Sequence, residues 1–182
     1  MNTFIIILLG LLGLIAFFLI IALFVKQDLA VEREINIMQS KQKVFDYIKF
    51  LKNQDNYSKW ATMDTEMKKE YRGIDATEGF VSAWESAKKD VGHGEQEIIK
   101  ITEGERIDFE IRFIKPFKSI AAAYMTTAKI SENQTKLLWG FKSKFKYPMN
   151  LMLLFMKMDD LVGKDFATGL SRLKEILEKE KD

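Results

Sequence analysis

The hydrophobic pattern divides the chain into an uninterrupted apolar run at the N-terminus and a longer part in which apolar and polar residues alternate. The run, FIIILLGLLGLIAFFLIIALFV from Phe4 to Val25, contains no charged residue. A helix rises about 1.5 Å per residue, so this run is long enough to cross the roughly 30 Å hydrocarbon layer of a bilayer. We therefore predict a transmembrane anchor over residues 1–27 and a separate domain over residues 28–182.

The flanks of the apolar run favour an uncleaved anchor over a signal peptide. The segment MNT before the run has no basic side chain, and IALFVKQ at its end lacks the small-residue pattern of a cleavage site. The basic residues nearest to the run all follow it: Lys26, Arg33, Lys41 and Lys43. The positive-inside rule then favours a single-pass membrane protein whose domain faces the cytoplasm.

After the anchor the pattern predicts a short strand and a helix. In VEREINI, Ile35 and Ile37 share one face, away from the neighbouring charges. Ser40 is a suitable N-cap for a helix over KQKVFDYIKFL, where apolar residues recur at helical spacing. The connection KNQDNYSKWATMDTE that follows has room for a second short helix.

From Met67 to Phe145 the apolar residues recur with the two-residue period of strands. In RIDFEIRF and TKLLWGFKSKF the predicted inner face carries Ile107, Phe109, Ile111, Phe113, Leu137, Trp139, Phe141 and Phe145. Residues typical of turns separate the strands, namely Gly73, Gly92, Gly94, Gly104, Pro116 and Asn133. We predict an antiparallel meander with one solvated face.

The C-terminal part predicts one long amphipathic helix that begins at Pro148. Gly163 and Gly169 lie within it, although each glycine weakens an exposed helix by roughly 1 kcal/mol against alanine. We predict that these glycines allow close approach to the sheet or to a ligand, with Gly163 as the stronger candidate. A long helix against a wrapped sheet encloses space, so the pattern favours an α+β fold with an apolar cavity.

Composition argues against several kinds of site. With 28 Lys plus Arg and 26 Asp plus Glu, the net charge of +2 gives no signature of nucleic-acid binding. There is no cysteine, and His93 is the only histidine and is expected at a surface turn, so we expect no metal site. The sequence contains no Ser-His-Asp set and no phosphate-binding loop, so we assign no catalytic residue and no cofactor.

From about Val31 to Glu180 the chain resembles the helix-grip superfamily of START, birch-pollen-allergen and polyketide-cyclase/lipid-transport domains. The matching segments are VFDYI, NYSKWATMD, YRGIDATEGFVSAWES, GHGEQEIIKI, RIDFEIRFIKP, TKLLWGF and VGKDFATGLSRLKEILE. Met38, Gln39 and Ser40 replace the alanine-proline pair that often precedes the first helix of that group, and only one glycine remains near Gly79. The resemblance implies an antiparallel sheet wrapped around the C-terminal helix, with a hydrophobic ligand cavity between them.

Strand parity, the helix stripe and the polar-tipped aromatic residues together give a predicted ligand site. Its members are Trp84, Phe109, Ile111, Phe113, Tyr124, Trp139, Phe141, Phe155, Asp159 and Val162. Asp159 follows Phe155 by one helical turn and could reach the cavity mouth, although the pair Asp159 and Asp160 also fits a solvated helix face. Lys142, Lys144 and Lys146 alternate along one strand, as on a solvated face or in a patch for lipid headgroups.

Three functions remain open at this point. We favour a monomer that binds or transports a hydrophobic, lipid-like or polycyclic small molecule at the membrane. A polyketide cyclase or hydrolase type of enzyme would need an acid and a base that converge inside the cavity. A membrane-tethered interaction module with a collapsed cavity would bind no ligand, and fold analogy alone does not choose among the three.

Overall fold

The computed structural model describes residues 2–179 and places an apolar helix ahead of an α+β domain. Helix α1, Thr3–Phe24, is long and apolar enough to cross a membrane, with a mean hydropathy of 3.3. Its most apolar stretch is 0% buried against the domain, so α1 is not a core helix of the described chain. Signal sequences share this length and composition, so α1 by itself is a candidate anchor.

The domain begins with strand β1, Asp28–Ile37, and helix α2, Lys41–Lys49. Short helical pieces then follow: a 3-10 turn at Leu51–Asn53, α3 at Gln54–Tyr57 and α4 at Lys59–Met63. Six strands come next, β2 (Lys68–Arg72), β3 (Val81–Glu85), β4 (His93–Thr102), β5 (Arg106–Lys115), β6 (Ser119–Ser131) and β7 (Gln134–Lys144). The chain ends with a 3-10 turn at Met149–Leu151, α5 at Met152–Phe155 and α6 at Met158–Lys179.

The strands form one open antiparallel sheet with the order β1-β7-β6-β5-β4-β3-β2. The predicted meander is therefore confirmed, and Gly73, Gly92, Gly104, Pro116 and Asn133 lie between strands. Gly94 differs from the prediction, because it is the second residue of β4. The N-cap of α2 is also confirmed, because Ser40 Oγ accepts a hydrogen bond of 3.3 Å from the Lys43 amide. His93 differs from the expectation, since it is the half-buried first residue of β4.

The prediction of one continuous C-terminal helix is wrong. The backbone adopts an extended conformation at Met156, with φ −105° and ψ 120°, and α6 begins only at Met158. The earlier segment is held beside α1, where the Phe155 ring meets Phe18 with centroids 6.2 Å apart. From Met158 onward the helix packs along β1 instead, so the break separates two segments with different neighbours.

The two glycines of α6 both face the sheet, as predicted. A Cβ at Gly169 would lie 2.9 Å from the Trp139 ring and 3.4 Å from the Tyr57 carbonyl oxygen. A Cβ at Gly163 would collide with the guanidinium of Arg33 on β1, which is the mobile end of a half-exposed side chain. The preference for Gly163 is therefore reversed, because Gly169 is the glycine with rigid neighbours.

The space between sheet and helix is filled at one end only. We call the end where β1 begins, directly after α1, the anchor end of the sheet. At the opposite end lie fully buried aliphatic core side chains, including Ile37, Ile107, Met125, Leu137, Leu173 and Leu177. The inner face at the anchor end carries Ala121 and Ala123 on β6 and Ser143 on β7, whose small side chains leave the space unfilled.

Candidate ligand-binding cavity

A cavity of about 1030 Å³ occupies the anchor end, between the inner face of the sheet and the first half of α6. This volume is at the upper end of the range for pockets that take small molecules, roughly 300–1,000 Å³. The structure brings six of the ten predicted site residues together in its wall: Trp84, Ile111, Phe113, Trp139, Phe141 and Val162. Met67, Met152, Met158 and Phe166 add further apolar surface.

One wall is a group of aromatic side chains on β3 and β5. The Trp84 ring lies against the backbone of Gly94, where a Cβ would come within 2.7 Å of it. The Trp84 indole nitrogen donates a hydrogen bond of 3.2 Å to the Val91 carbonyl, and its ring meets Phe113 edge-on at 6.2 Å. The glycine allows this close contact, and the hydrogen bond fixes the ring that lines the cavity.

A second aromatic group separates the cavity from the core. The Trp139 ring of β7 stacks on Phe166 of α6, with centroids 4.5 Å apart and planes 12° apart, and Tyr57 meets it edge-on. Trp139 is 4% exposed, so it contributes one face to the cavity while the rest of the ring is packed. Burial raises the pKa of the Tyr57 phenol, so this side chain stays neutral.

Three predicted site residues lie away from the cavity wall. Phe109 does face inward, but it lies one step deeper and is packed into the core at 2% exposure. Phe155 is exposed beside α1 because the helix break directs it away from the sheet. Asp159 is also exposed and forms an ion pair of 3.3 Å with Arg33. The structure therefore does not place these three among the cavity-lining residues.

Tyr124 lies on the outer face of the sheet. Its ring covers Gly140 on the neighbouring strand, its hydroxyl donates to Glu32, and the Arg106 guanidinium lies 4.2 Å from the ring centroid. Burial, followed by the hydrogen bond to Glu32, raises the pKa of Tyr124 to about 12. The run AAAYMTT hides the strand parity, because alanine fits both faces, and this explains why the sequence pattern misplaces Tyr124.

The cavity also has a polar region that the sequence pattern missed. It is formed by side chains of α3, β2, β3 and β4 and the residue after α3: Gln54, Asp55, Ser58, Lys69, Ser82 and Gln96. Gln54 is only 8% exposed, and its Nε2 finds no hydrogen-bond acceptor within residues 2–179. Polar residues on a four-residue helix show no readable period, so only the tertiary structure reveals that they face the cavity.

Asp55 is satisfied by its own neighbours. Its carboxylate forms an ion pair of 2.8 Å with Lys69 and accepts a hydrogen bond from the Tyr71 hydroxyl. Burial and the contact with Asp55 raise the pKa of Tyr71 above its ordinary value. Lys69 thus balances the charge of Asp55 and the Tyr71 hydroxyl donates to it, so none of the three groups is left without a partner.

The mouth of the cavity is built by two segments, which we call the mouth segments: residues 114–120, around the turn between β5 and β6, and residues 143–149, which cover the end of β7 and the residues after it. Both combine exposed apolar side chains, such as Phe117 and Tyr147, with lysines. Lys144 and Lys146, which the sequence left open between two interpretations, are part of this mouth, whereas Lys142 lies over Tyr124 on the outer face.

Comparison of structures identifies the architecture. Norcoclaurine synthase from Thalictrum flavum superimposes with a TM-score of 0.67 at 8% identity, covering 86% of this chain and 98% of that one. The chain has the helix-grip fold. A protein from Mesorhizobium loti matches with a TM-score of 0.61 at 11% identity, covering 85% of this chain and 100% of that one. The Bet v 1-like protein Ara h 8.0201 matches with a TM-score of 0.59 at 12% identity, covering 84% and 99% of the two chains.

The helix-grip likeness is one of structure and not of sequence. No family model and no curated protein sequence matches the chain. A second structure of the Thalictrum flavum synthase, in complex with dopamine and hydroxybenzaldehyde, has a TM-score of 0.63 at 9% identity, covering 90% of this chain and 94% of that one. At such identities the likeness establishes the fold, and any activity has to be argued from the cavity itself.

Proposed function

We propose that this protein binds a hydrophobic, lipid-like or polycyclic small molecule in the helix-grip cavity, while α1 anchors it in a membrane as a single-pass monomer. The observation that carries the proposal is the cavity of about 1030 Å³ with its largely apolar wall. Burying apolar ligand surface there releases roughly 25 cal/mol per Å², so shape and size matter more than any single contact. The positive-inside rule supports a cytoplasmic domain.

Two further observations support binding. A structural neighbour with the same architecture holds two small aromatic molecules, dopamine and hydroxybenzaldehyde. Tethering a binding domain to the membrane raises its effective concentration at the lipid pool, where hydrophobic molecules accumulate. The enzyme alternative has less support, because Asp55 and Lys69 in the cavity wall are paired with each other.

The test is ligand recovery by native mass spectrometry from the full-length protein purified out of its own membranes. We expect a copurifying hydrophobic molecule in the unmodified protein and its loss in the Val162→Trp variant, because Val162 lies in the cavity wall. Leu161→Trp is the matched control, since Leu161 is the preceding residue of α6 and is 53% exposed. Equal recovery from both variants would contradict the proposed site, and absence of any ligand would favour an interaction module.

A further inference from the structure

We infer that the mouth of the cavity docks on the surface of the same bilayer that holds α1, so that ligand passes between lipid and cavity without crossing water. The occupant of this surface is an anionic phospholipid bilayer. The inference rests on the proposed function, because it needs both the anchor and the cavity. Three independent features of the anchor end support it: the position of the mouth, the attachment of α1 and the chemistry of the exposed side chains.

The mouth lies where the chain leaves α1. Asp28, the first residue of β1, lies opposite Lys144 in the register of β1 and β7. The amide of Phe145 donates a hydrogen bond of 2.8 Å to the carbonyl of Gln27. The second mouth segment is thus bonded to the linker between α1 and β1, which has only a few residues. If α1 spans a bilayer, the mouth lies within a few residues of its surface.

The C-terminal end of α1 makes direct contacts with the domain, in addition to the covalent connection through the linker. The buried Asn150 side chain donates from Nδ2 to the carbonyls of Ala22 at 2.7 Å and Val25 at 2.9 Å. These contacts supply partners for backbone carbonyls at the C-terminal end of α1, which the helix itself cannot satisfy. The ring contact between Phe18 and Phe155 adds an apolar link further along α1. The orientation of the mouth relative to α1 is therefore set by direct contacts.

The mouth has the chemistry of a membrane interface. Exposed apolar side chains cluster in the mouth segments, namely Phe117, Ile120, Tyr147 and Met149, and the neighbouring α5 adds Leu154 and Phe155. The exposed lysines Lys115, Lys118, Lys144 and Lys146 form no ion pair with any residue of the described part of the chain. Exposed carboxylates also lie nearby, at Asp28, Asp159 and Asp160, and of these Asp159 is paired with Arg33. Apolar side chains that enter the headgroup region and free lysines that meet anionic headgroups are the two components of peripheral membrane binding.

The experiment measures the depth of single labels in the full-length protein, which has no cysteine of its own. Phe117→Cys and Ile74→Cys form a matched pair, because both residues are exposed apolar loop residues, 68% and 75% exposed, at opposite ends of the sheet. Each variant is labelled with nitrobenzoxadiazole and reconstituted into vesicles of phosphatidylcholine and phosphatidylglycerol that contain a nitroxide lipid. We expect quenching several times stronger at position 117 than at position 74.

The charge component has its own variant. Lys118→Glu combined with Lys146→Glu should reduce the quenching at position 117 in vesicles with phosphatidylglycerol, whereas the control Lys100→Glu on β4 should not. Equal quenching at positions 117 and 74 would overturn the inference. So would energy transfer between labelled copies without quenching by lipid, which would assign the surface to a second copy of this chain. Ligand recovery is measured independently of quenching. A protein that copurifies with a ligand but gives either of these results would therefore contradict membrane docking and leave the proposed function standing.

A second observation independently indicates which polar group the ligand carries: the Nε2 donor of Gln54 has no acceptor within residues 2–179. Gln54 is buried, it lines the cavity, and its Nε2 finds no acceptor within residues 2–179. A buried donor without a partner is costly unless something else supplies an acceptor. Ser58, Ser82 and Gln96 lie in the same wall. We propose that the ligand is amphipathic and places a carboxylate or other oxygen acceptor against Gln54, with its apolar part in the aromatic region.

The test compares palmitic acid with hexadecane, which share the chain and differ in the acceptor. The full-length protein in detergent is offered both, and native mass spectrometry gives the ratio of the two complexes. We expect the unmodified protein to prefer palmitic acid, and Gln54→Leu and Gln54→Met to lower that preference by about tenfold. Gln42→Leu, at an exposed position of α2, is the control.

Two results would overturn this second inference. An unchanged ratio in both Gln54 variants would overturn it alone, because ligand binding itself would persist. Binding of neither probe by the unmodified protein would overturn it together with the proposed function. Thermal unfolding of each variant shows whether the fold is retained, and the use of two replacements guards against a defect specific to one side chain.

Discussion

Three aromatic side chains of this domain lie directly against glycines, and each pairing places a ring that a larger residue would displace. Trp84 lies on Gly94, Trp139 lies against Gly169 of α6, and Tyr124 covers Gly140 on the outer face. In each case the absent Cβ lets ring and backbone approach more closely than any other residue would allow. The two tryptophans are cavity walls, so these glycines shape the site without touching its contents.

The first prediction concerns the glycines of α6. Gly169→Ala should lower the free energy of unfolding by roughly 1–3 kcal/mol through overpacking, because its Cβ would meet the packed Trp139 ring. Gly163→Ala should cost less, since the Arg33 head group can move aside. Chemical denaturation of the two variants in detergent checks the order. A gain of stability in Gly169→Ala, as helix propensity alone predicts, would contradict it.

At the scale of elements, the outer face of the sheet carries a ladder of charges across β2, β4 and β5. Arg112 contacts Glu95 at 2.7 Å, Glu97 at 2.7 Å and Glu110 at 2.6 Å, and Arg72 also pairs with Glu95. The hydrogen bonds from Arg112 and then Arg72 lower the pKa of the Glu95 carboxyl. Opposite charges on neighbouring strands stabilise the pairing that supports the cavity wall on the inner face.

The second prediction is a pH dependence that follows from Glu95. Its folded pKa lies below the ordinary value of about 4.3, so the ion pairs stabilise the fold above that pH and the stabilisation is lost as the pH falls through the folded pKa. Glu95→Gln should therefore be less stable at neutral pH and lose less stability on acidification. Thermal melting at neutral pH and at about pH 3 tests this. Glu85→Gln, at an exposed position, should behave like the unmodified protein.

The third prediction concerns the junction between α1 and the segment before α6. Asn150→Leu removes both hydrogen bonds to the end of α1. The carbonyls of Ala22 and Val25 then lose these partners, which should lower the stability of the junction by about 1–3 kcal/mol. We expect faster hydrogen exchange across residues 145–157 and faster tryptic cleavage after Lys26. Asn36→Leu, which changes an exposed side chain of β1, is the control. Unchanged exchange in Asn150→Leu would mean that Asn150 does not hold the junction.

On the scale of the whole molecule, α1, the helix break and the hollow end of the sheet form one arrangement. α1 meets the domain beside the mouth. The break at Met156 separates α5, which contacts α1, from α6, which packs along β1. The aliphatic core residues lie at the far end. A cavity that opened at the far end would be remote from any membrane that α1 enters. The unfilled space between sheet and helix therefore lies at the end of the domain that is next to α1, and the packed core lies at the other end.

The fourth prediction tests the anchor itself. Full-length protein should stay with the membrane fraction through alkaline carbonate washing, because α1 has the length and hydropathy of a spanning helix. Protease protection of the domain in intact cells, with digestion in inverted vesicles, would support the cytoplasmic orientation. Release by carbonate, or a mature protein that begins after Val25, would show that α1 is not an anchor.

The sequence by itself determined most of the elements, because apolar periodicity and turn residues act locally, but it did not show the break at Met156. Ser40, the alternation in RIDFEIRF and the glycine and proline turns were enough to predict α2, the antiparallel meander and the α+β class. The cavity residues on well-alternating strands, such as Ile111 and Trp139, were found in the same way. Where a run contains small residues on both faces, as around Tyr124, parity has no local signal and the prediction failed.

Only the tertiary structure decided which inward-facing residues border empty space and which are packed. Phe109 and Ile111 lie two positions apart on one strand with the same parity, yet one is core and the other is cavity wall. The difference comes from what lies opposite: large leucines in the second half of α6, and the alanines of β6 with Val162 at the anchor end. That pairing joins residues far apart in the chain, so no local pattern carries it. For the same physical reason, only the folded structure shows that Gln54 is buried and that its Nε2 has no hydrogen-bond acceptor within residues 2–179.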